Sequence, residues 1–347
     1  MKKIYFICPN NKFASGGVKQ IFKQVEILNK NGFCAFVVLK SQIKYNWFSA
    51  DVPIIYNAGL FASIKLNLKE RTFLQKLPYL FKIKYQQLFR NNIDNQGILV
   101  FPEIFTKKMS LLFPTMKKVI YNQNCFYTFD NYSIEDSILN NEYLNTNNIA
   151  TIVVSENSKK YLEYSFPSLK LFRLRNGIDK KLFFYNINKK KQIAYMPRKL
   201  KEDIIQVINI LNSRQNINDW QFIAIENKPE NEVAQIMQES AIFLSFNYQE
   251  GFGLPPAEAM ACGCIIIGYT GLGGEEYFNN NFSYPIYNRN IIDFTTKIEE
   301  VVSLYNINKN LFLSKGLKGS KYILNEYSKE NEIKDILTTW NEILNLS

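Results

Sequence analysis

Two carboxylates, Glu250 and Glu258, stand eight positions apart in the segment Phe246 to Glu276, which reads FNYQEGFGLPPAEAMACGCIIIGYTGLGGEE. The apolar run ending near Phe246 predicts a strand, and Pro255 and Pro256 fall where the first turn of a helix accepts residues without an amide hydrogen. Between strand and helix, Gly251, Phe252, Gly253 and Leu254 offer backbone N–H groups beside a positive helix end, a combination suited to a phosphate. Glu250 is expected at the strand's carboxyl end and Glu258 in the first turn of the helix. Carboxylates are natural acceptors for paired hydroxyls. On spacing alone, however, the same pattern also describes an ordinary junction whose carboxylate complements the helix dipole.

Arg198 and Lys199 form a second cluster, directly after the apolar strand pattern Ile193 to Met196. A guanidinium brings a fork of donors and an ammonium a point charge, and both suit phosphate oxygens. The chain has no histidine, which removes Ser-His-Asp hydrolysis, Cys-His proteolysis and His-ligated zinc together. Cys262-Gly263-Cys264 lacks the spacing and the further ligands of a zinc site and reads as small-residue packing. No D-x-D pair occurs, so no metal site is expected.

The elements that must position these groups follow a repeated rhythm. Lys3 to Cys8 reads as a buried strand, and Gly16-Gly17 opens a helix with Val18, Ile21, Phe22, Val25 and Leu28 at helical spacing. Gly32 stops it and Cys34 to Leu39 is the next strand, completing a β-α-β unit. Later apolar runs at Ile98 to Phe101, Val119 to Tyr121 and Thr151 to Val154 extend a parallel sheet. After Lys189-Lys190-Lys191 the rhythm restarts with strands at Ile193, Trp220 and Ile242, separated by helices at Asp203 to Leu211 and Glu232 to Gln238. Three amphipathic stretches follow Asn290. A length of 347 residues fits two α/β domains.

Taken together, E-G-F-G-L-P-P-A-E-A-M-A-C-G followed by G-x-G-G-x-E resembles the signature of the retaining GT-B glycosyltransferases of family four, the glycosyl transferases group 1. The resemblance extends to Gly16-Gly17, to Ser155-Glu156, to Asn176-Gly177-Ile178-Asp179 and to Met196-Pro197-Arg198-Lys199. It implies a GT-B fold of two Rossmann-like, doubly wound parallel-sheet domains facing a cleft. Residues 1–180 would form the acceptor-side domain and 181–328 the donor-binding domain, with the C-terminal helix at 329–347 packing back on the first. The implied donor is a nucleotide-diphosphate sugar and the implied acceptor a glycan or lipid-linked molecule, in bacterial surface polysaccharide or glycolipid synthesis. Neither metal nor cofactor is implied. By the resemblance Arg198, Lys199 and Glu250 are catalytic, the two cations holding the diphosphate and Glu250 the transferred sugar. Gly16, Gly17, Gly251, Phe252, Gly253, Leu254 and Pro255 border the donor, and Glu258 takes its ribose. Gly271, Gly273, Gly274 and Glu275 shape the donor loop.

One departure stands out. Where this family often carries a histidine, the chain has Tyr121-Asn122-Gln123-Asn124. Asn122, Gln123 and Asn124, with Asn176, become candidate contacts to sugar or acceptor, but amides do not shuttle protons near neutral pH. A front-face route, in which the donor's phosphate oxygen takes the acceptor proton, does not require the missing imidazole.

Charge adds a further expectation. Through Lys170 there are 22 basic and 11 acidic residues, whereas the remainder is balanced at 20 and 20. An anionic partner for the first half follows. Leu60 to Arg90 mixes seven basic residues and one acidic with many Leu, Phe and Tyr, a pattern that fits an anionic membrane surface or an ordinary amphipathic helix pair. No stretch reaches the length of a membrane span. Scattered cysteines and no recognisable leader fit a cytoplasmic protein, peripheral at the inner membrane face. A basic single-strand nucleic-acid binder would share the pI near 9.2 but leaves the Glu250 to Glu258 string unexplained, so no nucleic acid is expected. A GT-B epimerase or phosphorylase remains an alternative.

Overall fold

Strands of continuous buried apolar residues build two all-parallel sheets, as expected where helices cover both faces. The computed structural model describes residues 1–11, 15–45, 47–68, 72–89, 92–130, 132 and 141–347. In the first sheet β1 (Lys3–Ile7), β2 (Cys34–Leu39), β3 (Ile54–Tyr56), β4 (Ile98–Pro102), β5 (Lys117–Asn122), β6 (Asn148–Val153) and β7 (Leu171–Arg173) lie in the order β3-β2-β1-β4-β5-β6-β7. In the second, β8 (Lys190–Tyr195), β9 (Gln221–Ala224), β10 (Ser240–Phe246), β11 (Ile265–Tyr269) and β12 (Ser283–Pro285) lie as β12-β11-β10-β8-β9.

Helices follow the strands. The first unit holds α1 (Gly16–Lys30), α2 (Ala58–Leu68), α3 (Phe73–Phe89) and α4 (Glu156–Ser165), the last capped by the Ser155 hydroxyl, which accepts from Ser158 N at 3.1 Å. The second holds α5 (Lys201–Arg214), α6 (Glu230–Glu239), α7 (Leu254–Ala261), α8 (Ile291–Ile307) and α9 (Lys309–Glu326). Chain packing divides the molecule into Met1–Leu174 with Ile333–Ser347, and Arg175–Glu332. The first unit therefore ends at Leu174, ahead of residue 180. Its neighbours explain the shift: Ile178 N donates to Tyr327 O at 2.7 Å and Lys329 pairs with Asp179 at 2.6 Å, so residues after Leu174 are already built into the second unit.

The final helix, α10 (Lys329–Asn345), contributes its length from Ile333 onward to the first unit. Trp340 anchors it there. Fully buried, its ring lies 5.5 Å from Phe6 of β1, and its indole N–H donates to Gln24 of α1 at 3.3 Å. Each unit has its own core, one around Tyr5, Leu99, Phe101 and Ile120, the other around Ile193, Leu244, Ile267 and Phe294. Among the described residues no helix is long and apolar enough to cross a membrane. Within 60–90, residues 69–71 and 90 lie outside the described residues.

Candidate functional site

The second unit changes direction between β8 and β10. From β8 the chain winds to β9 on one side and then returns to β10 on the other, and the carboxyl ends at such a switch point leave a crevice for a ligand. One hollow opens there, lined by Met196, Arg198, Lys199, Ser245, Asn247, Glu250 and Pro255 among others. Arg198 is exposed, while Lys199 donates to Glu250 Oε1 at 2.5 Å, with both side chains partly buried. Four of the residues singled out from sequence, Arg198, Lys199, Glu250 and Pro255, thus share one hollow. Met196, from the same motif, joins them, as do Ser245 inside β10 and Asn247 just after it, two residues not foreseen because a small polar side chain at a strand end carries little signal without its neighbours.

The glycines hold Glu250 in place. Glu250 N donates to Gly271 O at 2.8 Å and Gly273 N to Glu250 O at 3.2 Å, so the G-L-G-G turn forms a bridge against the strand end. A Cβ on Gly273 would sit 2.3 Å from Gly251 O, which leaves glycine as the residue that fits. Gly253 precedes α7 at φ 85, the left-handed region. The fully buried Tyr277 hydroxyl secures that turn, reaching Gly253 O at 2.7 Å, and the Phe252 ring packs 5.1 Å from Tyr277 and 4.9 Å from Tyr327. Phe252 is therefore a buried anchor of the loop, with its side chain turned into the protein.

Glu258 does not lie in the first turn. The helix begins at Leu254, so Pro255 and Pro256 occupy that turn, and no acidic residue is found in it. Glu258 comes one turn later, half-buried, because prolines are tolerated only where the helix has no intrahelical bond to lose. Asn176, also in this unit, is buried.

In the first unit α1 does open at Gly16 and Gly17. Gln123, immediately after β5, donates through its side-chain amide to Gly17 O at 3.2 Å. The two flanking amides serve their own loop. Asn122 is fully buried and donates to Tyr143 Oη at 2.7 Å and Thr128 Oγ1 at 3.0 Å; Asn124 accepts from Phe126 N at 3.1 Å as a helix cap. Behind them lies Glu103, immediately after β4 and 5% exposed, accepting from Gln123 N at 3.1 Å. Burial pushes its carboxyl up to about 7 against the pull of backbone N–H donors from Gln123, Asn124 and Glu103 itself. Sequence reasoning passed over Glu103, although an acid directly after a buried strand was the available signal. Among the described residues no group of His, Cys, Asp or Glu is arranged to hold a metal ion, and Cys262 and Cys264 are buried, Cys264 lying against Met237 O and Ser240 O.

Comparison with known proteins fits this geometry. Residues 206–312 match the family model described as Glycosyl transferases group 1, a span that includes Glu250 and Glu258 and begins beyond Arg198 and Lys199. An alpha-1,6-glucosyltransferase of Actinobacillus pleuropneumoniae serotype 7 (strain AP76) is 28% identical over 202 residues, or 54% of this chain. The match spans 56% of that relative's length. Sucrose-phosphate synthase from Thermosynechococcus elongatus has a TM-score of 0.70 at 12% identity, covering 100% of both chains. HepE of Anabaena, solved in complex with UDP-glucose, gives 0.62 at 12% identity over 99% of this chain and 100% of its own. At that identity the structural likenesses establish the fold, which is GT-B. Residues 206–312 thus resemble the glycosyl transferases group 1, within a chain whose fold is GT-B.

Proposed function

We propose that the chain moves a sugar from a nucleotide-diphosphate sugar to a glycan or lipid-linked acceptor. The observation that carries this reading is the meeting of Arg198, Lys199, Glu250 and Pro255 around one hollow at the β8–β10 switch point. The departing diphosphate gains negative charge as the sugar carbon becomes oxocarbenium-like. Preorganised cations act best where that charge grows. Arg198 offers its fork to the phosphate oxygens, and Lys199, already placed by Glu250, adds a second positive charge. Glu250 keeps acceptor capacity for a sugar hydroxyl, and Glu258 is assigned to the ribose by resemblance to the family. The same resemblance supports retention of configuration, with the donor's phosphate oxygen taking the acceptor proton. Because the proposed counter-charges are side chains, transfer is expected to persist in a chelator. By the same resemblance Gly16 and Gly17 are assigned to the donor phosphates and Gln123 to the sugar or acceptor. Asn122, Asn124 and Asn176 are better read as supports, given their burial.

Thermal unfolding with a panel of nucleotide sugars, starting with UDP-glucose, tests the reading, since a ligand bound only by the folded state raises Tm. A rise with one nucleotide sugar, followed by its turnover in EDTA, is expected. A flat response to the whole panel would sink the assignment.

The acceptor side includes a surface for anionic lipid in this proposal. Along α3, Leu80 and Phe81 are exposed beside exposed Lys76, Lys82 and Lys84, a basic and apolar mixture suited to lying on a membrane at its cytoplasmic face. Co-sedimentation with phosphatidylglycerol vesicles at low salt is expected; protein left in the supernatant would refute it.

A further inference from the structure

The pentapeptide Y-N-I-N-K occurs twice in the second unit, at 185–189 just ahead of β8 and at 305–309 where α8 gives way to α9. The fold ties the two copies together. Tyr305 Oη donates to Lys189 O at 2.9 Å, and Tyr185 Oη donates to Leu313 O at 3.3 Å. Each copy is also anchored to the core. Tyr305 is buried, its ring 5.1 Å from Trp220 and 5.0 Å from Phe312. Lys189 is buried too, donating to the carbonyls of Met237, Gln238 and Cys262 at 3.1, 2.9 and 2.8 Å. Because Lys189 immediately precedes β8, the paired loops lie at the amino edge of the second sheet, whereas the hollow lies at the carboxyl ends of its strands.

With the backbone held in this way, both isoleucines are left in solvent. Ile187 is 59% exposed and Ile307 82%, with Phe184 at 46% and Leu311 at 47% close by in the chain. Four large apolar side chains on one tied pair of loops form a patch, and an exposed apolar patch rimmed by polar groups marks a contact surface. The rim is basic. Although 20 basic and 20 acidic residues follow Lys170, no acid occurs in 180–201 or in 301–325. Lys180, Lys190 and Lys191 are paired with Glu330, Glu239 and Asp219 from other segments. Exposed Lys181 and Lys309 make no ion pair among the described residues, and Lys309 lies 5.2 Å over the Tyr305 ring.

We propose that these paired loops are a contact surface for an anionic lipid bilayer: Ile187 and Ile307 enter the acyl boundary while Lys181 and Lys309 reach the headgroup phosphates. Lysine suits that place, since its stem lies along apolar surface and its ammonium stays in the wet, negative layer. A protein partner is a poorer match. Protein interfaces favour aromatic residues, Met and Arg and are depleted of Lys at their centre, whereas here Asn and Lys alternate with single aliphatic tips. The inference is independent of the sugar-transfer reading, and of α3, which belongs to the first unit.

Partition of the full chain onto phosphatidylglycerol–phosphatidylcholine vesicles, measured by sedimentation at increasing lipid, tests the surface. Ile187→Ser combined with Ile307→Ser should weaken partition about tenfold, with Tm near the wild-type value because both side chains are exposed. Lys309→Gln should weaken it about fivefold at low salt, a difference that closes at high salt. A double isoleucine variant that partitions like the wild type overturns the proposal, and so does a wild type that stays in the supernatant. Phe81→Ser on α3 separates the two surfaces: release by that change alone, with the isoleucine variant still bound, would assign the membrane contact to α3 and overturn this one. Sedimentation velocity without lipid covers the protein alternative. A wild type that dimerises where the double variant does not, with equal lipid partition in the two, would give the loops to a second copy and overturn the proposal. Partition as expected in a protein that turns over no nucleotide sugar would remove the transfer reading and leave this surface standing.

Discussion

The two sheets end in opposite ways. At the carboxyl ends of β8 and β10, charge is kept half-open: Arg198 is exposed, and Lys199 with Glu250 forms an ion pair on the wall of a hollow. At the ends of β4 and β5, charge is buried, with Glu103 held by backbone N–H groups and the Asn122 amide N–H bonded to Tyr143 and Thr128. A half-open charge costs little desolvation and can exchange its partner for a ligand's, whereas a buried one is expensive to ionise and fixes geometry. The contrast teaches that the second unit keeps exchangeable charge at its strand ends, whereas the first buries it.

The largest effect expected from this contrast is on stability against pH. Glu103 titrates near 4.5 when unfolded and near 7 when folded. Between those values the folded state binds more protons than the unfolded state, so stability falls as pH rises through that window and stays lower above it. The loss is on the order of 3 kcal/mol, given about 1.4 kcal/mol for each pH unit separating the two values. Denaturant unfolding at pH 5 and pH 8 should show the wild type losing about that much relative to Glu103→Gln, which has no charge to bury. Equal pH dependence in the two proteins would show that Glu103 is ionised without penalty and would erase the difference between the two strand ends.

Next in size is the loss of the exposed cation. Arg198→Ala should lower turnover by roughly 10²-fold, since it removes charge that matters most as the diphosphate leaves. Because Arg198 is exposed, the melting temperature should stay close to the wild-type value. Steady-state kinetics beside a thermal melt read both quantities. Full activity, or a large fall in Tm, would mean that the guanidinium serves the fold and not the ligand.

How far these two regions could be read from sequence differs as well. The glycines and glutamates of 246–276 are local signals, and periodicity alone recovered β1, α1 and β2. By contrast β3, β7 and β12 are each three residues long, too short to show a period of two. Glu258 was placed a turn too early because two adjacent prolines fix where a helix starts only once its first residue is known. The partners of Asn122 and Asn124 were hidden from sequence for another reason. Whether an amide faces a ligand or its own loop depends on Tyr143, Thr128 and Phe126, and the Tyr143 contact spans 21 positions, which no local pattern encodes.

The smallest effect sharpens the comparison from inside the second unit, where one buried hydroxyl holds a loop. Tyr277 holds Gly253 O at 2.7 Å, and the glycine stands at φ 85 ahead of α7. Tyr277→Phe keeps the ring that packs on Phe252 and removes only the hydroxyl, leaving a buried carbonyl short of one donor. The cost is about 1 kcal/mol, or roughly 2–4 °C in the melting of a unit of this size. If the loop's backbone is held for the diphosphate, donor KM should also rise several-fold while kcat changes little, because ground state and transition state lose the same contact. A fall in Tm with KM unchanged would mean that the loop keeps its shape without the hydroxyl, and that in the second unit the glycine turn and its bridge to Glu250 suffice.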